Sequence, residues 1–122
     1  MEPVIEAAVI HAANQLRHHS EAVFQAGIII ELQGRGAVVE REVPITVPFV
    51  PSWTDVPVTV GFVRLDCVVR IGAQVAALEV KRTSSGSYET QLQKYKEVIP
   101  DEWGLALVTP DNNVQWVRRP AE

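Results

Sequence analysis

The sequence predicts an α/β domain with a mixed central sheet flanked by helices. Three observations lead there. Apolar residues recur at helical spacing through the first quarter of the chain, two β-favouring runs flank Gly72-Ala73, and a short helical stripe near residue 92 precedes two further β-compatible runs. The resulting order, α, α, β, β, β, α, β, β, is that of a sheet with helices packed on it.

Pro3 suits a first helical turn, where its missing N–H has no partner to lose. Val4, Ile5, Ala8, Val9, Ala12 and Leu16 then predict an amphipathic helix over 3–17. Ser20 is the N-cap of a second helical stretch whose apolar face is Val23, Phe24, Gly27, Ile28 and Leu32, ended by Gly34 and Gly36. The alternation Val39, Arg41, Val43, Ile45, Val47 predicts a strand over 38–49, and Pro44 and Pro48 push it to a sheet edge. Pro51, Ser52, Asp55 and Pro57 mark a loop.

The next two strands, 61–70 and 74–82, meet at Gly72-Ala73. Glycine at the first central position suits a type II′ hairpin turn. With Ile71 facing Gln74, Asp66 falls opposite Glu79 and Arg64 opposite Lys81, and period-two alternation puts all four on one face with Phe62, Val68, Val75 and Ala77. Facing carboxylates repel across a strand pair. A hard cation with oxygen ligands removes that repulsion, and ordinary cross-strand ion pairs on a solvated face are the alternative.

Beyond the hairpin, Ser87 is an N-cap and Tyr88 to Val98 a helix with Tyr88, Leu92, Tyr95 and Ile99 on one stripe. Gly104–Thr109 and Val114–Val117 are strands separated by a turn at Asp111-Asn112-Asn113.

A length of 122 residues makes one domain, 1–122, and 47% hydrophobic with 21% charged residues is enough to bury a core. No apolar run approaches the roughly 20 residues that span a bilayer, so no membrane partner is expected. The start, MEPVIEAA, lacks the basic region of a secretory signal, which predicts a cytoplasmic location. Cys67, the single cysteine, lies on the strand face opposite Asp66 and is read as a small core residue. A net charge of −4 means that any nucleic acid must be held by a local patch drawn from Arg64, Lys81, Arg82, Lys94, Lys96, Arg118 and Arg119, or with help from a second copy or a partner protein.

Asp66 near the end of one strand, Glu79-Val80-Lys81 on the next, and Gln91-Leu92-Gln93-Lys94-Tyr95 on a helix resemble the PD-(D/E)xK nuclease superfamily, and so a restriction-endonuclease-like αβββαβ core. The whole chain is similar to the small GxxExxY group within it, through Val9-Ile10-His11, Glu21, Glu31-Leu32, Arg41-Glu42-Val43-Pro44, Gly61 to Asp66, Leu78 to Lys81 and Gln91 to Tyr95. The group's naming motif reads His18, Glu21 and Phe24 here, so only its carboxylate is present, and Leu65 stands where a proline would precede Asp66.

The resemblance implies a divalent-metal-dependent nuclease, with Mg2+ or Mn2+, hydrolysing phosphodiester bonds of nucleic acid, DNA first and RNA second. It implies Asp66, Glu79, the carbonyl of Val80 and Glu21 as metal ligands, and Lys81, Gln91 and Tyr95 as further catalytic residues. Arg64, Lys81, Arg82, Gln91 and Lys94 are the expected nucleic-acid contacts. Each has a plainer reading: Lys81 as a side chain reaching to solvent, Glu21 as a first-turn acid favoured by the helix dipole, Tyr95 as core and Gln91 as surface. A nuclease fold that binds or assembles without turnover is the alternative function. His11, His18 and His19 lack the partners for a zinc set; His18 and His19 are expected in solvent, and His11 on the active-site side of helix one. Trp53, Trp103 and Trp116 are expected to pack rather than stack on bases.

Overall fold

The structure is a computed structural model that describes residues 1–122. Its elements are α1 (Glu2–Leu16), α2 (Glu21–Gly34), β1 (Val38–Phe49), β2 (Val58–Ile71), β3 (Gln74–Val80), α3 (Glu89–Val98), β4 (Gly104–Thr109) and β5 (Asn113–Arg118). The strands form one five-stranded sheet in chain order. Every neighbouring pair is antiparallel except β3 and β4, which are parallel because α3 carries the chain back between them. No helix is long and apolar enough to cross a membrane.

Local chemistry explains most boundaries. Pro3 sits in the first turn of α1, and Ser20 caps α2 by accepting from the N–H of Val23. Gly36 ends the helical region at φ 93°. At the hairpin, Gly72 has φ 59° while Ala73 keeps a negative φ, as a II′ turn requires. The third helix is capped by Tyr88, one residue later than Ser87, without a side-chain bond.

Two hydrophobic clusters lie on the two sides of the sheet. The larger joins α1 and α2 (Ile5, Val9, Phe24, Ile28, Leu32) to Cys67, Val69, Leu78, Val80 and Val108. The smaller joins Tyr95 and Ile99 to Leu65, Val68, Ala77 and Leu105. Gly27 lets the first two helices close up, since a Cβ there would run into the Leu16 side chain.

Simple alternation along β2 breaks at Asp66. Cys67 and Val69 face the α1/α2 layer, Val68 faces α3, and so does Leu65. The break is matched on β1, where Val39 packs with the first cluster and Val43 and Ile45 with the second. Between them Glu42, at the β1 position facing Asp66, holds a left-handed φ of 51°. That conformation is unfavourable for a residue with a long side chain, and the surrounding ladder maintains it.

Three expectations are corrected here. The hairpin register is the predicted one, but paired residues stop at Cys67–Leu78, so Arg64 does not face Lys81. The reversal at Asp66 also removes Arg64 and Phe62 from the face of Val68 and Ala77; Phe62 is 69% exposed. Trp53, expected to pack, is 84% exposed. Trp103 lies under Arg70, and Trp116 donates from Nε1 to Glu6.

Candidate functional site

The site forms where β2 and β3 part. The even-numbered residues of β3 point their backbone groups at β2, so the next hydrogen-bonded pair after Cys67–Leu78 would be Leu65–Val80. That pair is not made. The Asp66 carboxylate takes the place of the Leu65 carbonyl and accepts from the N–H of Val80 at 2.8 Å. A strand residue directs its N–H and C=O to the same side, so the Val80 carbonyl opens into the same gap.

Glu79 lies beside it, on the α3 side, and is 2% exposed. Its Oε1 is 3.3 Å from Lys81 Nζ and accepts from Gln91 Nε2 at 3.4 Å, while its Oε2 is buried with no hydrogen-bond partner. Burial, and then the neighbouring Asp66 charge, push the Glu79 carboxyl up to about 7, against the pull of Lys81. Burial pulls the Lys81 ammonium down, but the charges of Glu79, Glu21 and Asp66 more than offset this and raise it, so it stays protonated.

The third helix closes the site. Gln91 Nε2 lies 2.7 Å from Tyr95 Oη, and that hydroxyl donates to the Arg64 carbonyl at 3.3 Å. Tyr95 is therefore a core residue and a link between Glu79 and β2 at once. Its hydroxyl is raised above its ordinary pKa by burial and then by the Glu79 charge.

No protein-family model matches the sequence, and no curated protein matches it.

The expected residues divide into three groups. Asp66, Glu79, Val80, Lys81, Gln91 and Tyr95 are brought together. Glu21, in the first turn of α2, is near enough for its charge to act on Lys81, but nowhere do three His, Cys, Asp or Glu side chains converge as one ligand set. The remaining cations are scattered. Arg82 lines a small concavity with Arg17 and His18, Lys94 is exposed on α3 and borders the groove between that helix and the β1/β2 strands, and Arg64 is exposed on β2. Arg118 is held by the Trp103 and Pro100 carbonyls and Arg119 by Glu2. His11 accompanies Gln15 and Glu31 on the outer faces of α1 and α2, away from the site, and His18 and His19 are exposed.

One contributor went unread in the sequence. Gln25, one turn after Glu21, donates to the Asp66 carbonyl at 3.4 Å and fastens α2 to β2 behind the carboxylate. Its signal was the four-residue spacing from Glu21.

This donor set fits a hard divalent cation. It is all oxygen, it combines two carboxylates with one open carbonyl, and one carboxylate oxygen is buried without a donor. Native proteins rarely leave such an atom unsatisfied without a reason.

Proposed function

We propose that the chain is a divalent-metal-dependent nuclease with a restriction-endonuclease-like core that hydrolyses phosphodiester bonds of DNA. The fold supports this reading through a helix ahead of three antiparallel strands, then a crossover helix and a parallel strand. The single observation that carries it is Glu79 Oε2, buried beside the Asp66 carboxylate with no donor while Glu79 is ionised, so that only a shared proton or a cation can sit between the two acids.

Asp66, Glu79 and the Val80 carbonyl would hold Mg2+ or Mn2+. Such a cation, when bound, acidifies water and offsets the charge that builds on phosphorus. The chain's own residues do the rest. Lys81, kept protonated by Glu79, presents positive charge to the non-bridging phosphate oxygens and to the attacking water. Gln91 holds Glu79 Oε1 so that Oε2 faces inward, and Tyr95 fixes Gln91 in turn. Glu21 contributes through its charge on Lys81. Hydrolysis is balanced by water alone: its oxygen bonds to phosphorus and gives up one proton to solvent, the P–O bond to the leaving oxygen breaks, and that oxygen takes a proton from solvent.

The deciding experiment incubates the protein with single- and double-stranded DNA and RNA, with Mg2+, Mn2+ or chelator, beside Lys81→Ala, and measures cation binding by calorimetry. Cleavage that needs the cation and is lost in Lys81→Ala is expected. Cation binding and nucleic-acid binding without cleavage would leave the binding module, and no cation binding would sink the metal reading.

A further inference from the structure

Strand β3 pairs with β2 only over Cys67–Ile71, so residues 43–49 and 58–65 form a two-stranded arm supported by no third strand. Between residues 43 and 63 the only charged side chain is Asp55, in a chain that is 21% charged. Trp53, Val56, Phe49, Val58, Val60 and Phe62 are all exposed, Val60 at 62%. Three of these side chains and their aliphatic neighbours present on the order of 700 Å² of apolar surface, above the 300–600 Å² patch usual on a monomer and near the roughly 800 Å² each partner buries in a standard interface.

We propose that this arm is a homodimer interface in which two copies pack arm against arm, antiparallel about a twofold axis. Three features select a second copy. An acidic chain repels itself except where charge is absent, and the arm is that place. The arm also carries both halves of a contact: Trp53 projects at its tip, and part-way along it a groove of about 340 Å³ runs between the arm and α3, with Val47, Phe62, Val63 and Val98 as its apolar lining and Lys94 and Glu97 of α3 as its charged lining. Val58 to Val63 spans roughly 17–20 Å at strand rise, so antiparallel arms that overlap over this length bring each tip to the other's groove. A twofold contact is self-complementary in this way. The contact is made face to face, because Pro44 and Pro48 interrupt the donors on the β1 edge. Nucleic acid and anionic membrane both need cations, and residues 43–63 have none.

Sedimentation velocity of the full chain from about 1 to 100 µM, a range covering ordinary dimer affinities, tests this. A dimer is expected for the native chain, with Phe62→Glu monomeric and Trp53→Ser shifted toward monomer by tenfold or more in Kd. Both substitutions are at exposed positions, and an unchanged far-UV spectrum shows that the fold is kept. A native chain that is monomeric throughout, or variants that dimerise as it does, would overturn the proposal. So would co-sedimentation of a monomer with vesicles that Trp53→Ser abolishes, since a membrane would then be the occupant. None of these readouts depends on cleavage.

Discussion

The Asp66 carboxylate accepts a hydrogen bond from the Val80 N–H at 2.8 Å, where the strand ladder would have supplied a backbone carbonyl. Asp66 therefore has a structural task beside any chemical one. Asp66→Asn keeps an acceptor for Val80, so it should fold nearly as well as the native chain and lose cation binding. Asp66→Ala leaves the N–H unpaired and should cost about 1–3 kcal/mol in urea unfolding. Equal stability of the two variants would show that the bond contributes nothing.

Glu79 should make the cation-free protein more stable in mild acid. Its folded pKa, about 7, lies above the ordinary 4.5, so the folded state binds the proton more tightly. The resulting stabilisation is fully present below pH 4.5 and is lost as pH rises through 7. Glu79→Gln removes the buried charge and should gain on the order of 1–2 kcal/mol at pH 8, less whatever attraction to Lys81 it forfeits. Urea midpoints at pH 5 and pH 8 read this directly, and the variant should be flat where the native chain falls. The same substitution should abolish cleavage. A native midpoint that climbs between pH 5 and pH 8, with Glu79→Gln following it, would contradict the assignment.

Tyr95→Phe keeps the ring in the core and removes the hydroxyl that joins Gln91 to the Arg64 carbonyl. Loss of about 1 kcal/mol of stability is expected, with a larger relative loss in turnover than in substrate affinity. Steady-state kinetics beside thermal melts separate the two. An unchanged kcat would reduce Tyr95 to packing.

The Cys67 thiol, pushed up to about 12 by burial and then by Asp66, should not react with iodoacetamide at pH 8 while the chain is folded. It should be alkylated quickly in urea. Mass spectrometry of the two samples settles it, and rapid labelling of native protein would mean that β2 opens at Asp66.

Much of this was legible in the residues. Helical spacing located α1 and α2, Ser20 and Pro3 located their starts, and Gly72-Ala73 set the hairpin register. These are local rules, and local chemistry decided them. The reversal at Asp66 was not legible, because alternation assumes an unbroken ladder and nothing about Glu42 announces a left-handed φ. Placing Arg64 with Lys81 failed for that reason. Trp53 failed for another: pattern identifies apolar side chains but not whether another element exists to cover them. Gln25 was hidden because its partner lies 41 residues away.

The reversal at Glu42 and Asp66 also separates two inheritances within one pair of strands. On the core side, Cys67 and Val69 of β2 are packed against the α1/α2 layer and Val68 against the α3 side. Beyond it, the outward face of the arm is exposed and belongs to neither core cluster, so its residues are free to be rewritten without shifting the register that places Asp66 beside Glu79. The same boundary that opens the gap beside Val80 thus lets the arm's outward face change while the placement of Asp66 and Glu79 stays fixed.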